Sequence, residues 1–221
     1  MSVIQRTATV LKSFLRARSN SVLKYGTVDN MADKKLNDLD DQLVWIDMEM
    51  TGLDIDTCHI MEVACLITDA KLRVVSDEFD VVINQPDDVL ATMNEWCVKQ
   101  HSKSGLTESC RASKVSLEMA EGELLRFVKH YVPEGKCPVA GNSVYMDRLF
   151  MRKYMPSVDN YLHYRIVDTS TVKELTRRWN PEAYKGAPQK SFKHRAIEDI
   201  RESIAELQYY RNNVFKIENC Q

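Results

Sequence analysis

The chain has 221 residues, 30 Lys and Arg against 32 Asp and Glu, a formal net charge of −2 and 44% hydrophobic residues, which fits one domain of ordinary size with tails. Seven Gly and six Pro are too few for a collagen-like or low-complexity chain, and mixed-sign charge suits a solvated globular surface. Near-zero charge argues against a protein that coats long nucleic acid, which needs a basic face. No run approaches the ~20 consecutive apolar residues of a spanning helix, so no membrane partner is expected. Six Cys without a C-x-x-C pair read as reduced thiols of an intracellular protein.

The first 28 residues contain Arg6, Lys12, Arg16, Arg18 and Lys24 and no acid, with Ser and Thr interspersed among Val, Ile, Leu and Phe. That composition predicts a mitochondrial transit peptide, with a disordered basic leader as the alternative, over residues 1–30. Without those residues the chain holds 25 basic against 31 acidic residues, a charge of −6. Met31 opens Met-Ala-Asp-Lys-Lys and offers a second start, which would give an untargeted cytoplasmic form.

From about residue 40 the pattern is that of an α/β domain running to 216, followed by a short tail at 217–221. Residues 43–50 form an apolar strand-type run closed by Thr51-Gly52. Runs at 60–68 and 73–83, joined by Asp69-Ala70-Lys71, complete an antiparallel meander. Helical periodicity follows at 89–100 and 116–131, where Leu117, Ala120, Leu124, Phe127 and Val128 make one stripe. After Pro133-Glu134-Gly135, the pattern predicts a buried strand at 137–142, a helix at 144–155 ended by Pro156, a strand at 165–168 and a helix at 170–179. Residues 180–193 read as a loop. The last helix spans 194–213, with Ile197, Ile200, Ile204, Leu207 and Tyr210 along one side. A meander followed by alternating helix and strand is the order of a ribonuclease-H-like fold, a mixed sheet flanked by helices. A doubly wound sheet would want a helix between its first two strands, and no Gly-rich phosphate loop follows the first strand.

Asp47 and Glu49 lie two apart in the first strand, so both side chains project from one face. Adjacent carboxylates in an apolar setting repel, and either one takes a proton or a cation bridges them. Alone, such a pair equally suits a solvent-facing edge strand. Asp147, after the Val139-Ala140-Gly141-Asn142-Ser143 strand and turn, and Asp199, on the final helix, add two further acids.

Asp47-Met-Glu49, Asp147 and His194-Arg-Ala-Ile-Glu-Asp199 together resemble the D-E-D-D pattern with H-x-A-x-x-D of the DEDDh 3′-to-5′ exonucleases. Residues 42–216 are more closely similar to the oligoribonuclease family. Four segments carry that likeness: Trp-Ile-Asp-Met-Glu-Met-Thr-Gly-Leu, Ala-Gly-Asn-Ser, Leu-His-Tyr-Arg-Ile-Val-Asp-Thr-Ser-Thr-Val-Lys-Glu-Leu, and His-Arg-Ala-Ile-Glu-Asp-Ile-Arg-Glu-Ser-Ile-Ala-Glu-Leu. The family often ends its last motif in two carboxylates; here they are Glu198-Asp199, and spacing to His194 selects Asp199 as the ligand. Tyr145-Met146 before Asp147 departs from what is usual near such a site.

The resemblance implies two divalent cations, Mg²⁺ or Mn²⁺, held by Asp47, Glu49, Asp147 and Asp199, with His194 as general base. Hard oxygen donors and an imidazole titrating near neutrality suit those roles. It further implies Leu53 as an apolar wedge, Trp96 and Tyr164 as base platforms, and His101 at the substrate's 3′ end. Ser143, Arg165, Ser170 and Lys173 would cap a terminal 5′ phosphate, a group richer in charge and acceptors than an internal diester. The family supplies Tyr164 and the cap across a homodimer interface. The expectation is therefore a 3′-to-5′ exoribonuclease that degrades short single-stranded RNA, mainly dinucleotides, to 5′-mononucleotides, with DNA left open as a substrate. A general or proofreading-like DEDDh exonuclease on longer DNA or RNA would want a basic track, and few Lys or Arg clusters between 40 and 216 could build one. An inactive nucleic-acid-binding module of the same fold is hard to reconcile with retention of all four acids and His194.

Overall fold

A computed structural model of the chain describes residues 40–189 and 195–216. The leader, Met31, the tail at 217–221 and His194 lie outside the described residues.

Five strands form one sheet: β1 (Leu43–Met50), β2 (Ile60–Thr68), β3 (Phe79–Val82), β4 (Pro138–Gly141) and β5 (His163–Asp168), in the order β3-β2-β1-β4-β5. β1, β2 and β3 form the expected antiparallel meander, and β4 and β5 run parallel to β1. The helices are α1 (Asp87–Leu90), α2 (Glu95–Lys103), α3 (Leu106–Ala112), α4 (Leu117–Tyr131), α5 (Tyr145–Tyr154), α6 (Pro156–Tyr161), α7 (Thr169–Trp179), α8 (Pro181–Lys185) and α9 (Ala196–Asn213). No helix among the described residues is long and apolar enough to cross a membrane.

β2 is buried along its whole length, as a strand covered on both faces must be. On one face α9 lays Ala196, Ile200, Ile204 and Leu207 against Trp45, Ala64 and Leu66. Burying an Ile or Leu side chain there stabilises the fold by ~1.5–3 kcal/mol. On the other face Phe127 of α4 meets Phe79 of β3, ring centroids 5.5 Å apart. The α4 stripe is as patterned, with Ser116 accepting from Met119 N at the cap. On α9, Ala196 takes a fully buried place while Ile197 is only half-buried.

Several boundaries differ from the sequence pattern, each for a local reason. The third strand, expected over 73–83, is regular only at Phe79–Val82, with one bridge from Thr68 to Val74 before it. Asp69 takes the Lys71 and Arg73 amides and the Arg73 guanidinium. The Ser76 hydroxyl then accepts the Ile67 N–H, displacing a backbone partner from the ladder. The helix expected at 89–100 is two helices, because Asn94 accepts from Cys97 N and starts α2 afresh; α3 follows, unforeseen. Pro156 and Pro181, taken as breakers, sit at the first turns of α6 and α8, where proline's missing N–H costs nothing. β5 starts at His163, two residues earlier than expected.

Candidate active site

The acids meet at the point where β1 emerges from beneath α9. Trp45, Asp47 and Glu49 share one face of β1; Trp45 is buried under α9, and the next two positions on that face are half-buried. The β1–β2 register shifts between Glu49 and Met50, and such irregularities re-aim side chains beside functional sites. Asp199, in the first turn of α9, completes a group in which Asp47, Glu49 and Asp199 each bring a carboxylate oxygen within 4.8 Å of the others. Glu198 is outside that group. Burial, then the charges of Asp199, Glu62 and Asp147, push Glu49 up from the ordinary carboxylate range to about 8. A cluster of hard oxygen donors, opposed only in part by the Arg195 guanidinium, fits Mg²⁺ or Mn²⁺ chemically.

Asp147 stands beside the trio, not within it. Its Oδ1 accepts the Met48 N–H at 2.9 Å, which ties α5 to the strand segment between the two β1 acids. Burial raises its pKa to about 7, with Asp168 adding to the rise and the Met48 N–H opposing it. Tyr145 is exposed and Met146 half-buried, so the unusual pair leaves Asp147's placement intact. Gly141, one strand over, is closely packed: a Cβ there would lie 3.1 Å from Ile46 O and 3.1 Å from a Val144 methyl, so a side chain would make its neighbours shift.

A cavity of about 420 Å³ opens beside Glu49. Leu53, Trp96 and His101 all line it, together with Asn94 and Cys97. Leu53 and Trp96 are 68% and 57% exposed, so neither is a core residue. His101 is buried, and its Nε2 donates to Met50 O at 3.0 Å, leaving Nδ1 3.9 Å from Glu49 Oε2. The ring is therefore fixed as part of the wall.

A second polar cluster lies at the β4–α5 turn. Ser143 adopts φ 50°, a left-handed conformation uncommon for serine, and its N–H donates to Asp168 Oδ1 and Ser170 Oγ at 3.0 Å each. Asp168 also caps α7 through Ser170 N. Ser170 Oγ donates to Asn142 Oδ1, and Asn142 Nδ2 donates to Ser203 Oγ at 2.6 Å. Lys173 pairs with buried Glu206 on α9 at 3.1 Å. Ser143, Ser170 and Lys173 thus form one network. Arg165 instead lies over the Tyr164 ring, 5.5 Å from its centroid, on edge strand β5. Tyr164 is 72% exposed and does not line the Leu53–Trp96 cavity. Asn142, Asp168 and Glu206 carry this network although the sequence pattern did not single them out. Asp168 was legible in principle, because Asp two residues before Ser at a helix start is a capping signal.

The exonuclease family model matches residues 44–207. The mitochondrial oligoribonuclease of Homo sapiens is 54% identical over 175 residues, covering 79% of this chain and 74% of that protein. A probable oligoribonuclease of Drosophila melanogaster is 54% identical, with 80% and 84% covered. The oligoribonuclease of Francisella tularensis is 47% identical, with 80% and 98% covered. Among solved structures, zinc-bound E. coli exonuclease I with single-stranded DNA superposes with a TM-score of 0.63 at 16% identity, covering 79% of this chain and 41% of that one. At that identity the likeness concerns the ribonuclease-H-like fold, and this chain spans about two-fifths of the longer protein. With a family model matched over most of its length and relatives more than half identical, the chain belongs to the exonuclease family and, within it, to the oligoribonucleases.

Proposed function

We infer that this protein is a 3′-to-5′ exoribonuclease that hydrolyses short RNA, dinucleotides above all, to 5′-mononucleotides. The observation that carries the reading is the juxtaposition of the Asp47, Glu49 and Asp199 oxygens with a cavity walled by Leu53 and Trp96. Asp47, Glu49 and Asp199, with Asp147 adjoining, would hold two divalent cations, Mg²⁺ or Mn²⁺. Such cations supply Lewis-acid charge to a phosphodiester undergoing hydrolysis.

The chain's own residues do the rest. Leu53 and Trp96 grip the 3′ base, and base stacking is worth ~1–3 kcal/mol whatever the sequence. His101, held by Met50 O, forms the pocket wall at the 3′ end. His194, by resemblance the general base, takes a proton from water as its oxygen bonds to phosphorus. The P–O3′ bond breaks, the departing O3′ takes a proton from solvent, and the released nucleotide carries a 5′-monophosphate. By resemblance, Ser143, Ser170 and Lys173 cap a terminal 5′ phosphate, lent with Tyr164 and Arg165 across the subunit interface. Tyr164 and Arg165, exposed on an edge strand away from the cavity, suit contribution to a second subunit's site, and so a homodimer. The basic leader and the mitochondrial oligoribonucleases among its relatives support a mitochondrial location; a cytoplasmic form would start at Met31.

The test is hydrolysis of 5′-labelled RNAs from two to about twenty nucleotides, with Asp199→Ala as the inactive control. A rate falling steeply beyond two nucleotides is expected. Equal rates along the series would overturn the short-substrate reading.

A further inference from the structure

α9 starts at Arg195, whose side chain does not cap its own helix. The cap comes from another strand: Glu62 of β2, fully buried, accepts the Ala196 N–H on Oε2 at 3.2 Å. Its Oε1 accepts two guanidinium N–H groups of Arg195, from Nε at 2.9 Å and Nη2 at 2.6 Å. Arg195 O in turn accepts the Asp199 N–H at 3.1 Å. One carboxylate therefore reaches the backbone of a candidate metal ligand through a single intervening residue.

Glu62 is also the direct cross-strand partner of Glu49. Like charges directly opposite one another destabilise a sheet, and here the Arg195 guanidinium supplies the opposing charge, acting on Asp80 and Glu49 as well. The same pair thus locks the first turn of α9 to the sheet and offsets repulsion between Glu49 and its neighbour.

We propose that Glu62 and Arg195 are positioning residues, a clamp that holds the Asp199-bearing turn of α9 against Asp47 and Glu49 on β1. The proposal rests on the metal-site part of the functional reading. Neither residue belongs to the oxygen trio, and neither is needed to close the cavity.

Partners that orient metal ligands typically contribute about 10–100-fold in activity or metal affinity. Glu62→Ala, folded by circular dichroism at the assay temperature, is expected to lower kcat on a diribonucleotide within about that range and to weaken Mn²⁺ binding by calorimetry. KM should change less than about twofold, since the base grip at Leu53 and Trp96 is untouched. Arg195→Met, at a half-buried position, should shift both readouts in the same direction. Glu62→Gln, which keeps an amide oxygen for the Ala196 N–H, should recover part of the loss. Amide exchange at Glu198 and Asp199 should accelerate in Glu62→Ala.

If Glu62→Ala lowers only the melting temperature, with kcat and Mn²⁺ binding unchanged, the pair is a structural tie and the proposal fails. If Glu62→Ala does not fold, Arg195→Met decides by the same two measurements. Should the unmodified protein leave diribonucleotides intact, the substrate reading falls, while Mn²⁺ binding and amide exchange still judge the clamp.

Discussion

Glu49 is half-buried beside Asp199, Glu62 and Asp147, and burial first, then those charges, sets its protonation. Its pKa of about 8 and the value of about 7 at Asp147 exceed those of the same groups in an unfolded chain. Between the unfolded and folded values the cation-free native state binds more protons than the unfolded one, so stability falls as pH rises. The contribution is fully present below the ordinary carboxylate range and is lost as pH climbs through about 7 and then 8. Cation-free protein should melt at a higher temperature at pH 5 than at pH 8, and Mg²⁺ should close most of that gap. Parallel melting curves with and without Mg²⁺ would show that these carboxylates are not where the cation acts. Asp199→Asn removes one charge from the trio while keeping its shape; kcat should drop about 1,000-fold, or some 4 kcal/mol of barrier, with the fold retained by circular dichroism. Near-normal turnover would remove Asp199 from the reaction.

At the scale of elements, α2 brings Trp96, Cys97 and His101 to the cavity, and its start depends on Asn94. Asn94→Ala should cost about 1 kcal/mol of stability, as loss of a helix cap does. It should raise KM for a diribonucleotide more than it lowers kcat, measured by steady-state kinetics; a change in kcat alone would place α2 elsewhere in the mechanism. The long amphipathic elements were legible before the fold was known. β1 and β2 stand out as apolar runs and α4 and α9 follow the helical period, and the acids of β1 and α9 lie at the ends of those elements. The elements missed or misplaced are those in which one side chain overrides period. Asn94 divides a helix, Ser76 takes an amide from a strand ladder, and Pro156 and Pro181 begin helices that a breaker rule would end. Glu62 was illegible for a different reason: an acid inside an apolar strand acquires its meaning only from Arg195, 133 positions away.

For the whole molecule, one chain holds Leu53, Trp96 and the acid trio at one place and exposes Tyr164 on the edge of the sheet at another. If a partner subunit completes the site, activity should follow dimer concentration. Specific activity measured alongside sedimentation should fall as the protein is diluted into monomer. Tyr164→Ala should lower turnover of a diribonucleotide without moving the melting temperature by more than about 2 °C, the small effect expected of an exposed residue. Full activity in a demonstrated monomer would end the homodimer reading.

α9 touches both polar centres of the domain: Asp199 in its first turn belongs to the acid trio, and Glu206 pairs with Lys173 in the serine network. Seven residues separate them, which a helix converts to about 10.5 Å of rigid rise. The distance between the acid trio and the serine network of one subunit is therefore set by a single rigid rod. In a homodimer whose cap serves the partner's site, that rod would fix how far the end a subunit lends lies from the acids it keeps. A single residue inserted between Asp199 and Glu206 would turn one end by about 100° relative to the other, breaking the link between the two subunit sites while leaving each chemically whole.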